Sequence, residues 1–339
     1  MNFRNLASPG RLAAAGLGLL LLVVAILWLT PSKQYIFLPD EAHATAPVVR
    51  AEGERPSNGP GGVYYVDVLV RKATLLERLF PSLREGSTLV PASAIQRRGV
   101  SDRERRQADR REMARSQDVA AAVALRALGF KVRVRPLGAR VAGLAAGAPA
   151  AGKLHEGDIV VGVDGKRVRS PRDLRRLVSS RRPGDSVRLQ VRSGDGLRSV
   201  RLKTIEDPRD PQRPVIGVVV DQAAQIDLPI NVEIDVGEVG GPSAGLAFAL
   251  DLMEELGRDV DRGYRVAATG QIELDGTVIP VGGVKQKTIG ARESDIEVFL
   301  VPAGDNAREA RRYASGLRVI PVKSFRQALR ALATLRPER

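Results

Sequence analysis

An uncharged, apolar run from Leu12 to Leu29 (LAAAGLGLLLLVVAILWL) limits what this chain can become more than any other stretch. Eighteen residues at a helical rise of 1.5 Å reach about 27 Å, close to the hydrocarbon thickness of a bilayer. Trp28 near its far end suits a membrane–water interface. The competing expectation is a cleaved signal peptide, for which Ala42-His43-Ala44 offers a small-residue site. Signal cores run about 7–15 residues and that site lies well past the run, so a retained transmembrane helix within residues 1–30 is expected. Arg4 and Arg11 precede the run, while Lys33 follows it with Asp40 and Glu41 beyond. The positive-inside rule then puts the N-terminus in the cytoplasm and the other domains on the extracytoplasmic side of the cell membrane.

The 339 residues, 43% apolar and 27% charged, have a globular composition with room for two domains. The absence of cysteine excludes disulfides, thiolate metal sites and a cysteine nucleophile. A net charge of +14 raises the question of nucleic acid. Only nine of the 53 basic residues are lysines, the arginines are spread along the chain, and aromatics make up 4%. The densest basic stretch, Arg97 to Arg115, is interleaved with Asp102, Glu104, Asp109 and Glu112, as on a solvated helix face. No nucleic-acid partner is expected.

Residues 31–124 divide into a proline-punctuated juxtamembrane linker or extended segment (Pro31, Pro39, Pro47, Pro56, Pro60) and a short structured segment. Val63–Val70 reads as a strand, Thr74–Phe80 as a short helix, and Gln117–Leu128 as a helix stopped by Gly129. From Phe130 to Thr204, short strand candidates alternate with turn signals around a single helix, Pro171–Ser180, with Leu174, Leu177 and Val178 on one face. One phosphate-loop outline, Gly147 to Lys153, fails because Leu154 stands where Ser or Thr would hold Mg²⁺. From Val215 onward strands and helices alternate, as in an α/β or α+β layer structure.

The segment 125–206 resembles a bacterial PDZ domain through Ala148-Pro149-Ala150, Leu154, Gly157-Asp158-Ile159, Val163-Asp164-Gly165, Leu174 and Pro183-Gly184-Asp185. That resemblance implies a small β-barrel that binds extended peptides at a sheet edge. Its carboxylate loop would fall at Pro136–Ala139, making Leu137, Gly138, Ala139 and Val141 the expected peptide-binding residues.

Gly240-Gly241-Pro242-Ser243-Ala244-Gly245 opens an apolar helix. Taken alone, Ser243 fits an N-cap. Gly241–Gly245 also fits the G-x-S-x-G elbow, but both histidines, His43 and His155, lie upstream, which excludes the hydrolase triad in its usual order. No S-x-x-K occurs. A lysine can serve as base if its pKa falls from about 10.4 to roughly 7–8, which burial or a positive field achieves. A helix N-terminus at Ser243 would disfavour an ammonium and supply N–H groups for an oxyanion, with Gly241 and Ala244 the expected backbone positions.

Thr269-Gly270-Gln271 and Gly282-Gly283-Val284-Lys285-Gln286-Lys287 follow downstream. With GGPSAG they closely resemble the proteolytic domain of Lon proteases, over about 120 residues within 207–339. The resemblance implies a Ser243–Lys287 dyad with Thr269 orienting the amine. Lys285 points about 200° away on a helix and is left to a structural role. Gly240 stands where ATP-dependent bacterial Lon enzymes carry an acid, Gln271 replaces the glutamate of their T-G-E motif, and no ATPase module precedes the domain.

The fold implied is therefore α+β: a Lon-type proteolytic domain plus a PDZ barrel and one transmembrane helix, similar to small membrane-anchored Lon-like proteases of Gram-positive bacteria. That group implies ATP-independent cleavage of unfolded or membrane-proximal proteins, with no cofactor or metal. Protein substrates, the lipid bilayer and a homo-oligomeric ring, a hexamer by resemblance, are the expected partners. The alternative is a catalytically silent, membrane-anchored PDZ/Lon-like binding scaffold. The strand at Val63–Val70 is a candidate member of the protease sheet, which would make the PDZ domain an insertion.

Overall fold

The β-branched and aromatic residues of Val63–Val70 lie inside a longer strand that pairs with elements from both ends of the chain. A computed structural model describes residues 9–54, 61–92, 102–145, 147–194, 196–208, 210–237 and 239–336, with side chains from 13 and, in the long helix, from 109. Residues 1–8, the linker prolines Pro56 and Pro60, and 97–101 of the basic stretch lie outside the described residues. The first part comprises α1 (Pro9–Leu29), β1 (Pro31–Ala44), β2 (Val49–Ala51), β3 (Gly62–Thr74), α2 (Leu75–Leu79), β4 (Thr88–Pro91) and α3 (Asp102–Ala127). Next come β5 (Arg133–Leu144), β6 (Ile159–Val163), β7 (Lys166–Arg167), α4 (Pro171–Ser179), β8 (Ser186–Ser193), β9 (Gly196–Lys203), β10 (Ile205–Asp207), β11 (Asp210–Val215) and β12 (Val218–Asp227). The last part comprises β13 (Val232–Ile234), α5 (Gly245–Glu255), β14 (Arg265–Ala268), β15 (Gln271–Ile272) and β16 (Val278–Ile279). It ends with α6 (Val284–Glu293), β17 (Val298–Pro302), α7 (Asp305–Tyr313), β18 (Arg318–Val322) and α8 (Phe325–Ala333).

Two compact units result: residues 1–128 with 230–339, and residues 129–229. The first is built on a six-stranded sheet, β18-β17-β14-β3-β1-β4. β3 runs parallel to β14, Val66 lies opposite β1 in an antiparallel ladder, and β17 and β18 continue the parallel side. The boundary expected at 206/207 is corrected by this division, because β12 pairs along β5 and belongs to the second unit.

Of the linker and the extended segment expected over 31–60, β1 is extended: it is an internal strand of the first sheet, flanked by β3 and β4. Pro39 misled because it reads as punctuation. It sits instead where the β1–β3 register shifts between Pro39 and Ala42, a bulge where a missing N–H is tolerated. Thr74 closes β3 and starts α2 with a capping box, its side chain accepting from the Glu77 N–H while Glu77 accepts from the Thr74 N–H.

All eleven residues of α5 are buried, including Asp251. Burial pushes the Asp251 carboxyl up to about 8, with one oxygen lacking any hydrogen-bond partner. A carboxyl raised above its unfolded value contributes stability that is complete below about pH 4 and is lost as pH rises through about 8. Asp251→Asn is therefore expected to raise the Tm at pH 8 by several degrees and to leave it little changed at pH 4. Differential scanning calorimetry at the two values checks this.

Second unit. Its sheet runs β12-β5-β6-β8-β9, with β7 paired to β6, around a core that includes Leu154, Val160, Leu174, Leu189 and Leu202. Two strand candidates, Lys131–Arg135 and Arg140–Leu144, fuse into β5, and the loop expected between them is a bulge within a ladder. Gly138 makes that bulge possible: at φ 146° it passes so close to β6 that a Cβ would lie 2.5 Å from the Val160 carbonyl oxygen.

α1 forms over the apolar run, and its Leu17, Leu19, Leu20, Leu21, Leu22 and Leu29 are exposed. Among the described residues no helix is long and apolar enough to cross a membrane; the described side chains of α1 span 13–29.

Candidate active site

Ser243 stands on a turn that the local sequence makes sharp. Gly241 adopts φ 89°, Pro242–Ala244 form one 3-10 turn, and α5 follows at once. Neither helix start has a side-chain cap, so the Ser243 hydroxyl is not spent as an N-cap. The turn is tied instead to the chain after β14. The Gly270 N–H donates to the Ser243 carbonyl (2.8 Å), the Thr269 hydroxyl donates to the same oxygen (3.3 Å), and the Leu246 N–H donates to the Gly270 carbonyl (3.1 Å). From α3, the Ser116 hydroxyl donates to the Pro242 carbonyl at 3.1 Å.

Lys287, one turn into α6, points into the same place with only 3% of its surface exposed. Its Nζ lies 2.7 Å from Ser243 Oγ, 2.9 Å from the Val66 carbonyl oxygen and 3.2 Å from Thr269 Oγ1. The proton count is decisive. Val66 offers only an acceptor, and the Thr269 hydrogen is directed at the Ser243 carbonyl. A neutral amine thus donates its two hydrogens to Val66 and Thr269, leaving its lone pair for the Ser243 O–H. Burial pushes the Lys287 amine down to about 8, against the opposing pull of Asp67. Lys285 points elsewhere, donating to the Ser87 carbonyl (3.0 Å) and lying over the Tyr313 ring.

Sequence-expected Ser243, Lys287 and Thr269 are thus together. Gly241 is not an oxyanion donor here, because its N–H donates to the Asp109 carbonyl of α3 (3.3 Å). Ala244 is buried within the turn. Ser243 and Lys287 line a cleft of about 620 Å³ together with Phe37, Val68, Leu69, Val70, Gly240, Gly241, Gly282 and Gly283. Asp40 and Asp67 also line this cleft, and His43 Nε2 lies 3.6 Å from Asp67 Oδ1. Sequence reasoning missed all three, and only the β1–β3 register brings them together.

The expected peptide-binding residues of the second unit need correction. β5 is hydrogen-bonded on both sides, to β12 and β6, so no peptide strand can add at Leu137–Val141. Ala139 and Val141 are fully buried, and Gly138 faces Val160. Among the described residues β12 and β9 are the edge strands, and a groove of about 550 Å³ lies between β12 and α4, lined by Leu174, Arg175, Val178, Ile216 and Val218. Gly217 (φ 74°) turns the chain from β11 into β12, and a Cβ there would overlap Ala148. Arg175→Glu is expected to weaken binding of a fluorescent peptide with a free C-terminus about tenfold, whereas Leu137→Asp leaves it unchanged, as read by anisotropy.

The first unit thus sets a buried serine–lysine pair beside a mixed sheet, and the second presents an open strand edge beside a groove. Residues 218–334 match the Lon protease (S16) C-terminal proteolytic domain, and residues 126–204 match the PDZ domain. These two segments are similar to those domains, and each match covers less than half of the chain. It is 40% identical to Lon protease 1 of Sorangium cellulosum over 93 residues, 27% of this chain and 11% of that protein. It is 32% identical to Lon protease 1 of Bacillus subtilis over 135 residues, 40% of this chain and 16% of that protein. The chain spans well under a fifth of the length of these relatives. Among solved structures, the PDZ domain of the SdrC-like protein from Listeria monocytogenes is 27% identical, covering 25% of this chain and 87% of that one, with a TM-score of 0.23.

Proposed function

We propose that this chain is a serine endopeptidase in which Ser243 is the nucleophile, Lys287 the general base and Thr269 the residue that orients the amine. The observation that carries this reading is the 2.7 Å approach of a buried Lys287 Nζ to Ser243 Oγ. The amine takes the hydroxyl proton as Oγ attacks a peptide carbonyl carbon, and the proton then passes to the leaving amine. Water attacks the resulting acyl-enzyme ester with the same lysine as base, which restores Ser243. Val66 and Thr269 fix the amine so that its lone pair has one direction in which to act.

Cleavage needs no ATP in this reading, and unfolded or membrane-proximal proteins are the substrates, bound as extended segments along the β12 edge. Purified full chain should degrade labelled casein with or without ATP, while Ser243→Ala and Lys287→Ala fall by at least about a hundredfold. Activity should rise with pH through about 8, because the neutral amine is the working form. Equal activity in wild type and both variants would sink the serine–lysine mechanism.

The chain is anchored by α1 with its other domains outside the cytoplasm, and the proteolytic domains assemble into a hexameric ring. The anchor is supported by the exposed leucines of α1 and by what stands at its end. The Leu75 N–H donates to the Thr30 carbonyl, which seats α2 there with Leu79, Phe80 and Leu83 exposed. A C-terminal tag should be digested by protease added to intact protoplasts, and detergent-purified chain should show a six-copy mass by light scattering. A protected tag or a monomer would remove the respective part.

A further inference from the structure

Val66, whose carbonyl holds the Lys287 amine, is followed on β3 by Asp67, which lines the same cleft as Ser243 and Lys287. Asp67 does not stand alone. Asp40 and His43 reach it from β1, with the polar atoms of the three within 4.8 Å of one another. Asp67 Oδ1 is buried and has no hydrogen-bond partner, and Asp40 is hydrogen-bonded to the Asp67 carboxyl. A carboxyl this close disfavours ionisation of Asp67.

We propose that Asp67, coupled to Asp40, is a positioning residue that sets the proton state of Lys287 and so decides where on the pH axis the dyad becomes active. This rests on the serine–lysine reading given above. The other groups facing Asp67 are few. Tyr65 is its neighbour on β3, His43 comes from β1, Lys287 from α6, and Asp109 and Arg110 of α3 line the cleft. α5 contributes Phe248 against Tyr65, and β14 contributes alanines at this level.

The sign follows from charge. An ionised Asp67 favours the ammonium and delays formation of the free amine to higher pH; a protonated Asp67 does not. Burial and then the neighbouring Asp40 both push the Asp67 carboxyl up, which favours its protonated form. That spares Lys287 the full effect of the Asp67 charge. Deleting either acid has opposite consequences. Asp67→Asn removes the charge next to the amine, whereas Asp40→Asn leaves Asp67 to ionise alone.

The test is the pH profile of kcat/KM for labelled casein between pH 5.5 and 10, using full chain in detergent. The acid limb is expected to move down by about one pH unit in Asp67→Asn and up by a similar amount in Asp40→Asn. Where turnover is too slow, the pH dependence of Ser243 modification by a fluorophosphonate reads the same limb. Unmoved limbs, or limbs shifted the same way in both variants, overturn the proposal. So does a folded variant inactive at every pH, since a group acting through the lysine's proton leaves activity at high pH. A wild type that neither cleaves casein nor labels at Ser243 sinks the serine–lysine reading instead, which separates the two failures.

Discussion

The contact on which the site depends joins a strand near the start of the chain to a helix near its end. The Val66 carbonyl and the Lys287 amine are 221 residues apart in sequence and 2.9 Å apart in the fold. A lysine buried to this degree pays a desolvation penalty unless its hydrogens are satisfied, and Val66 and Thr269 satisfy them. The same two acceptors leave the nitrogen lone pair one partner, the Ser243 hydroxyl. The hydrogen bonds that satisfy the buried amine are thus the same ones that orient it toward Ser243.

Such a contact demands rigidity on both sides, and the sheet provides it. β3 is pinned between β1 and β14, and the parallel pairing of β3 with β14 sets Val66 opposite the strand that ends just before Thr269. The loop after β14 is then bonded to the Ser243 turn through Gly270. Thr269 therefore belongs to both halves of the dyad: it accepts from the lysine and donates to the serine's own carbonyl. Residues 31–74 are part of the catalytic unit in this architecture, whatever lies between them and α5 along the chain.

The dyad was legible in the sequence because two short motifs carry it, and each motif is local. Its environment was not. Asp40, His43 and Asp67 sit on two strands whose register includes a bulge, and no spacing rule predicts which residues a bulge turns inward. β1 itself was hidden by Pro31 and Pro39, which lie at a strand start and at a bulge, two places where a strand tolerates proline. The peptide groove was misplaced for a related reason. Pro136-Leu137-Gly138 carries the signals of a loop, yet the chain there continues through a bulge in a paired strand. The actual turn is at Gly217, inside what reads as one continuous apolar strand, Val215–Val220.

One glycine shows how closely these elements are fitted. Gly290, on α6 one turn beyond Lys287, packs so tightly on β1 that a Cβ would meet the Asp40 carbonyl oxygen at 1.9 Å. Side chains on a helix hold adjacent elements about 8–10 Å apart, so a glycine at this position lets α6 sit directly on the strand. Lys287 and Asp40 are thereby brought to opposite walls of one cleft, each on an element the other fixes. The bulge just after Pro39 frees the β1 backbone to meet Gly290 at the point where it carries Asp40. A lysine base and the carboxyl pair beside it are thus products of the same close approach. A larger residue at 290 would have to separate α6 from β1, and it would move the amine away from both Val66 and the acids.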